Sequence, residues 1–419
     1  MRIALLNLFL LFFIVCKGQN KDQRYEEKIL MLCPKAEIIE VETKEDYVEI
    51  EYLCEGEKIE TGLTFDLQIL YSESEAVIND ETLSRIRKKL DKKYFGWSID
   101  EASLIEMADT SFYKVEVVHE QGIEDNVYFT LDGKFYKSGN IPFNEVWNLD
   151  MLEAHPFYNR FGYRLTRPDQ TYEMPDILVE ISGIALLNES ELFCVQDEEG
   201  IVFRYDLQEE EVSQMYRFTD VGDFEDITIN GDEVYILRSD GTIFSFNYRN
   251  FSGDFHSRTV PLNCPDIEGL FFYGAEKRYL IACKDKPINE NNSVRHIYGM
   301  DDVHSGTLEL EFVINLNEIN SFIKSHYPEF GSTVMQFNPS AVAVHPVTGE
   351  VFVLSADNRL LTIYENKKLK SVYPLAEELF YKPEGLGFAV NGDLYISSEG
   401  IKNGFLKGQI HYFKWHPNE

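Results

Sequence analysis

The chain has 419 residues and carries 39 Lys and Arg against 72 Asp and Glu, which gives a net charge of −33. At about 150 residues per domain, this length indicates two or three domains. A surface this acidic repels phosphate backbones and anionic membranes, so a nucleic-acid partner is excluded, whereas divalent cations and cationic partners are compatible with it. The hydrophobic fraction of 44% and the aromatic fraction of 14% indicate a globular, strand-rich chain.

Residues 1–18 have the pattern of a signal peptide: a positive charge, a short apolar run and a small residue at Gly18. The apolar run is shorter than the roughly 20 residues of a membrane anchor. Cleavage after Gly18 would make Gln19 the first mature residue. We therefore expect export to the periplasm or the medium, with no membrane span after cleavage. Lipid attachment to Cys16 is the alternative, and it would leave the protein associated with a membrane.

The cysteines show no regular spacing. Five remain once residues 1–18 are removed, and no CxxC pair is present. The sequence therefore predicts no disulfide scaffold. Cys33 with Cys54 is the only pair worth testing, and Cys194 and Cys283 are predicted to be core residues of apolar strands.

Residues 20–140 predict a small α+β domain made of two helix-plus-antiparallel-sheet repeats. Predicted helices at 22–33 and 81–93 are each followed by three strands. The predicted strands are 37–41, 47–52 and 63–66, then 103–106, 112–117 and 127–133. This half resembles the PepSY-like domains of exported bacterial proteins, a family likened to a β-lactamase inhibitor. Its sheet carries either a solvated acidic face or a protein-binding face.

Residues 141–172 form a connector rich in aromatic and turn-forming residues, among them Trp147, Phe157 and Tyr158. The connector is too apolar to extend freely into solvent, so we expect it to pack between the two halves.

Residues 173–416 repeat at intervals of 43, 43, 72 and 44 residues. Each repeat begins with a short motif, followed by an apolar strand, an acidic turn residue and a further strand. The motifs begin at Ser182, Glu225, Glu268, Ser340 and Glu384. The acidic turn residues are Asp197, Asp240, Asp285, Asp357 and Glu399. We interpret them mainly as turn formers, and a role as metal ligands is the less favoured interpretation. Short strands at this period predict a five-bladed β-propeller.

Two features interrupt the repeat. The interval of 72 residues contains an amphipathic stretch, 316–327, which we interpret as a helical insertion and not as a sixth blade. The last repeat lacks an outer strand, and a ring must close to hide its edges. Residues 161–168 are the predicted donor, because the segment 163–166 matches the outer strand at 216–219.

This half resembles the SdiA-regulated family, exported or membrane-associated bacterial proteins with a C-terminal β-propeller. The segments that carry the resemblance are 180–185, 195–200, 223–227 and 382–386. The resemblance implies the propeller and an association with calcium, but it implies no reaction.

The first residues of the five motifs share one phase of the innermost strands, which converge on the central channel. Three of them are carboxylates, Glu225, Glu268 and Glu384. In a narrow channel they repel one another unless a proton, a backbone donor or a cation compensates. Because calcium prefers hard oxygen ligands, these three residues are the predicted calcium ligands. The alternative is that each glutamate accepts a hydrogen bond from the next blade and so joins the ring.

Two function classes follow from these observations. The first is an exported, non-catalytic binding or scaffold protein of the bacterial envelope, calcium-stabilised and monomeric, whose partner is an envelope protein or a small ligand. The alternative is a calcium-dependent hydrolase of the lactonase or esterase type, which needs a general base near the ion. The sequence has no GxSxG motif and no histidine in the phase of the ring, so no catalytic residue is predicted.

Overall fold

The structure is a computed structural model. It describes residues 23–43, 47–93, 97–107, 110–119, 124–134, 149–158, 162–288, 292–328, 337–401 and 406–417. The predicted signal peptide, with Cys16 and Gln19, and the connector residue Trp147 lie outside these ranges. The chain divides into two compact units between residues 136 and 137.

In its described residues, the first unit contains two helices and one antiparallel sheet whose seven strands lie in chain order. The helices are α1 (Gln23–Leu32) and α2 (Asp80–Lys93). The strands are β1 (Glu37–Thr43), β2 (Tyr47–Cys54), β3 (Glu57–Thr64), β4 (Ile69–Glu75), β5 (Trp97–Glu106), β6 (Ser111–His119) and β7 (Glu124–Thr130). A two-residue turn, Glu55-Gly56, joins β2 to β3. Both turn residues have positive φ, 54° and 95°, as a tight hairpin of this length requires.

Each helix packs on its own part of this sheet. Ile29 of α1 packs with Val48 and Ile50 of β2, and Ile86 of α2 packs with Phe129 of β7. The α+β class was predicted correctly, but the two repeats are unequal. Four strands follow α1 and three follow α2, because the polar strand β4 was missed.

The second unit contains five four-stranded antiparallel sheets, which confirms the five-bladed propeller. Blade 1 consists of β9 (Ile181–Leu186), β10 (Glu191–Gln196), β11 (Ile201–Asp206) and β12 (Glu211–Arg217). Blade 2 consists of β13 (Phe224–Asn230), β14 (Glu233–Arg238), β15 (Thr242–Asn247) and β16 (His256–Thr259). Blade 3 consists of β17 (Ile267–Tyr273), β18 (Arg278–Cys283), β19 (Val294–Met300) and β20 (Glu309–Asn315). Blade 4 consists of β21 (Ala341–Val344), β22 (Val351–Ser355), β23 (Leu360–Glu365) and β24 (Lys368–Pro374). Blade 5 consists of β25 (Lys382–Phe388), β26 (Leu394–Glu399), β27 (Gln409–Phe413) and β8 (Gln170–Glu173).

Blade 5 closes the ring with a strand from ahead of blade 1, but not with the predicted segment. β8 pairs antiparallel with β27, with Gln409 opposite Glu173 and Tyr412 opposite Gln170. The segment 163–166 is not a strand in the structure. Tyr163 and Leu165 are instead buried in the apolar core that also contains residues of blades 4 and 5. The two segments are therefore similar because both place apolar side chains in the core, and not because both are outer strands.

The long interval contains the predicted helix. Helix α4 (Leu316–His326) follows the outer strand β20, and the side chain of Asn315 caps it by accepting a hydrogen bond from the Asn317 N–H at 2.9 Å. Within the described part of residues 300–335, the structure contains no sixth sheet.

The described part of the connector belongs with the second unit. It includes the short helix α3 (Leu149–Ala154), and the Tyr158 hydroxyl donates a hydrogen bond to the Pro374 carbonyl at 2.7 Å. Phe157 stacks on Tyr373, with ring centroids 5.5 Å apart. These aromatic residues are thus part of the propeller core.

Two isolated disulfides are present among the described residues, and one of them is the pair that the sequence singled out. Cys33 is bonded to Cys54 in the first unit. Cys264 is bonded to Cys283 in blade 3, so Cys283 is not the plain core residue that was predicted. Cys194 is a buried free thiol, as predicted.

Candidate metal centre at one end of the propeller channel

The three predicted glutamates occupy the same local structure in three blades. The innermost strands β9, β13, β17, β21 and β25 are neighbours around the ring. Glu225, Glu268 and Glu384 each stand at a register shift between their inner strand and the next strand of the blade. Each is therefore the extra residue of a β-bulge, which redirects a side chain at the end of a strand. This repeated bulge places the three carboxylates at one end of the ring.

Other polar side chains join neighbouring blades. The buried carboxylate of Asp226 accepts a hydrogen bond from the Leu270 N–H of the next blade at 2.7 Å and from the Ile227 N–H at 2.8 Å. The Ser340 hydroxyl donates to the Pro383 carbonyl at 3.2 Å. The alternative prediction for the glutamates was that they join neighbouring blades through hydrogen bonds. At these two junctions the joining side chains are Asp226 and Ser340.

Blade 5 is joined to blade 1 in a similar way. The Ser397 hydroxyl donates a hydrogen bond to the Ser182 carbonyl at 2.6 Å. Ser182 itself is buried. Side chain–backbone hydrogen bonds thus join blade 2 to blade 3, blade 4 to blade 5 and blade 5 to blade 1.

Two of the predicted ligands lie together with a third carboxylate that the sequence analysis did not single out. One oxygen from each of Glu225, Asp266 and Glu268 lies within 4.8 Å of the other two. We call these three residues the carboxylate cluster. Two oxygens bound to one calcium ion at 2.3–2.6 Å are at most about 5.2 Å apart. The spacing of the cluster therefore suits a single calcium ion.

The third predicted ligand, Glu384, does not belong to the carboxylate cluster. Its carboxylate lies 3.2 Å from Lys382 Nζ, which is also 3.0 Å from Glu399. Glu384 nevertheless acts on the cluster, because its charge contributes to raising the pKa of both Glu225 and Glu268. It is thus an electrostatic neighbour of the cluster.

Lys284 is a cation in contact with the cluster. Its Nζ contacts Glu268 Oε1 and lies 3.9 Å from Asp266 Oδ2. The second oxygen, Glu268 Oε2, is buried and has no hydrogen-bond partner among the described residues. The Glu268 side chain is only 6% exposed. An unpaired carboxylate oxygen at this depth is costly, and a cation in the cluster would satisfy it.

The carboxyls of the cluster bind protons more tightly than isolated carboxyls do. Burial, and then the charges of Glu268, Asp223 and Glu384, raise the pKa of Glu225 to about 10. Burial and the charge of Glu384 raise the pKa of Glu268 well above its usual range, against the opposing effect of Lys284. Burial likewise raises the pKa of Asp266. A metal cation bound between these carboxyls would oppose these shifts and favour their charged forms.

The acidic turn residues have mixed surroundings. Asp240 forms an ion pair with Arg238 at 2.8 Å, and Asp357 accepts a hydrogen bond from Asn338 at 2.9 Å. Glu399 is buried beside Lys382, and burial followed by the charge of Glu384 raises its pKa to about 8. None of the five belongs to the carboxylate cluster identified among the described residues.

The Cys264–Cys283 disulfide lies next to the cluster in the chain. Cys264 precedes Asp266 by two residues, and Cys283 directly precedes Lys284. The Lys284 N–H donates to the Asp266 carbonyl at 3.1 Å. Together these bonds hold the segment before β17 against the end of β18.

Asp266 and Lys284 escaped prediction from the sequence for different reasons. Asp266 stands two residues before Glu268, just ahead of β17, so its phase matches that of the glutamate although it lies outside the motif. Lys284 follows β18 directly, where only the acidic turn residue Asp285 was considered. The pattern Asp-x-Glu at the start of an inner strand could have identified Asp266 from the sequence.

No protein-family description and no curated protein matches this chain. The resemblances to the SdiA-regulated family and to PepSY-like domains therefore stay predictions. None of the helices within the described ranges has both the length and the hydropathy of a membrane span.

Solved structures are similar to the chain at low identity. A glutaminyl cyclase from Myxococcus xanthus is 10% identical, with a TM-score of 0.40, over 60% of this chain and 96% of that chain. A streptogramin B lyase is 11% identical, with a TM-score of 0.32, over 90% of this chain and 93% of that chain. A BLIP-like protein from Bacteroides fragilis NCTC 9343 is 20% identical, with a TM-score of 0.23, over 29% of this chain and 90% of that chain. Similarities at this level say nothing about the activity of this chain.

Proposed function

We propose that this protein is an exported, non-catalytic binding or scaffold protein of the bacterial envelope whose propeller binds one calcium ion through Glu225, Asp266 and Glu268. The observation that carries the proposal is the cluster itself: three carboxylate oxygens lie within 4.8 Å of one another, and the buried Oε2 of one member, Glu268, has no hydrogen-bond partner among the described residues. All the donors are oxygens, which suits calcium better than zinc. The repeat predicted Glu384 as the third ligand, and Asp266 takes its place here.

Export is part of this proposal. The two disulfides support it, because disulfides persist in oxidising compartments outside the cytoplasm. Calcium is also abundant outside cells, where protein modules with dissociation constants of about 10⁻⁴–10⁻³ M are common. A calcium ion at the channel end would stiffen blades 2 and 3, which supply the three ligands, and so present a fixed surface to a partner.

A calcium-dependent hydrolase of the lactonase or esterase type is the second candidate. The observation in its favour is Glu384, a buried carboxyl next to the cluster whose pKa is raised by burial, against the opposing charges of Lys382 and Lys284. A carboxyl with a raised pKa beside a metal is suited to general acid–base chemistry. Hydrolysis of simple lactones and aryl esters that depends on calcium and is lost in Glu384→Gln would support this candidate over the scaffold.

Calorimetric titration of the purified full chain with calcium tests the main proposal. We expect one ion per chain, and we expect Glu268→Gln to weaken binding by about tenfold or more, because it removes one ligand charge while preserving shape. Glu191→Gln is the matched control, since Glu191 pairs with Arg204 at 2.7 Å in blade 1. Its affinity should equal that of the wild type. Absence of saturable binding, or equal affinities for wild type and Glu268→Gln, would overturn the proposal.

A further inference from the structure

The ammonium group of Lys284 contacts one carboxylate of the cluster and lies close to a second one. It contacts Glu268 Oε1 and lies 3.9 Å from Asp266 Oδ2, so it already neutralises two of the three proposed ligands. A calcium ion and a lysine ammonium cannot both occupy the space between the same carboxylates, because two cations at such a distance repel each other.

The backbone of Lys284 is fixed, but its side chain has room to move. The Lys284 N–H is bonded to the Asp266 carbonyl, and its own carbonyl accepts a hydrogen bond from Arg295 Nε at 2.7 Å. The preceding residue, Cys283, is held by a disulfide. The Lys284 side chain, in contrast, is 27% exposed. If the Lys284 ammonium group leaves the cluster, we therefore expect the side chain to rotate towards solvent while the backbone stays in place.

We propose that Lys284 is an internal counter-ion that occupies the carboxylate cluster in the absence of calcium and is displaced by the ion. This inference rests on the proposed calcium site and adds its regulation. In the calcium-free protein, the lysine limits repulsion among the carboxylates. When calcium binds, the ammonium group leaves Glu268 Oε1, which then turns from an ion-pair partner into a metal ligand. Lys284 thereby weakens the apparent affinity and shifts the response to higher calcium concentrations.

Calcium titration of Lys284→Gln tests this exchange. The variant should bind calcium about tenfold more tightly than the wild type, because the competing cation is gone. It should also melt at a lower temperature without calcium, and calcium should raise its melting temperature by more than it does in the wild type. Lys382→Gln is the matched control. Lys382 lies at the same end of the ring but pairs with Glu384 and Glu399, outside the cluster. Its calcium affinity should stay within about twofold of wild type.

A second measurement uses the wild-type protein and does not depend on how the variant folds. Acylation of lysine side chains by an amine-reactive reagent, read by mass spectrometry, should be slow at Lys284 without calcium and faster with it. Lys382 should show no such change.

The possible results separate the two proposals. Tighter binding by Lys284→Gln together with increased reactivity of Lys284 supports the exchange. If the wild type binds calcium but the variant binds no more tightly, or Lys284 stays equally protected, the exchange is overturned while the calcium site stands. If neither protein binds calcium, both proposals fail.

Discussion

Removal of the Cys264–Cys283 disulfide is expected to weaken calcium binding as well as stability. The two disulfides join residues 19 and 21 positions apart, so they close loops of nearly equal length. The chain-entropy relation gives about 3 kcal/mol of stabilisation for either one, through restriction of the unfolded chain. Their effects on folding should therefore be similar, and their effects on calcium should not.

The difference arises from position. Cys264 and Cys283 join the segment that contains Asp266 to the end of β18, directly before Lys284. Cys33 and Cys54 lie in the first unit and join the residue after α1 to the end of β2. Replacing Cys264 and Cys283 by Ser frees Asp266 to move relative to Glu268. A displacement of about 1 Å is enough to spoil metal coordination, so we expect the calcium dissociation constant to rise about tenfold.

The assay is a calcium titration of the two double-serine variants beside the wild type, after urea unfolding has confirmed that each variant is folded. The Cys33→Ser, Cys54→Ser protein should lose about 3 kcal/mol in the unfolding free energy of its unit and should bind calcium like the wild type. Equal calcium affinities for both variants would refute the idea that this disulfide positions the site.

Three further results are expected. Asp226→Ala should lower the unfolding free energy by about 3 kcal/mol in urea titrations, because it leaves two buried backbone N–H groups unpaired, and Asp226→Asn should lose less; equal losses would contradict this. Without divalent cations, the unfolding free energy should fall between about pH 5 and pH 9. The folded protein keeps a proton on Glu225, whose pKa is about 10, while the unfolded chain releases it, and saturating calcium should flatten this slope. Gly62→Ala should cost about 1–3 kcal/mol in the first unit, because its Cβ would clash with the Tyr71 ring. Gly274→Ala is the control and should cost little, because its Cβ would lie 3.8 Å from its nearest neighbour, in the ring of Phe272.

The propeller could be predicted because its repeat is dense and local. The inner-strand motifs and the acidic residues after the second strands keep nearly constant offsets, and that regularity identifies five hairpins before any pairing is known. The closing strand could not be found in this way. β8 is short and polar, and its pairing with β27 joins residues more than 230 positions apart, so no local pattern distinguishes it from the more apolar segment at 163–166.

The candidate site was only partly predictable. The shared phase of Glu225 and Glu268 followed from the repeat, and the structure places them together. The positions of Asp266 and Lys284 at the site depend on the hairpin register of β17 and β18, which the sequence alone does not give. The same register explains the missed disulfide. Ile267 is paired with Cys283, which brings the end of β18 next to the segment that contains Cys264.

A crystal structure of the protein grown with calcium tests the central claim most directly. The account predicts one anomalous peak at the channel end, within about 2.3–2.6 Å of an oxygen from each of Glu225, Asp266 and Glu268. The Lys284 ammonium should have left Glu268 Oε1 in the same map. A structure at saturating calcium with no peak between these carboxylates, or with Lys284 still in contact with Glu268 and the ion bound elsewhere, would contradict it.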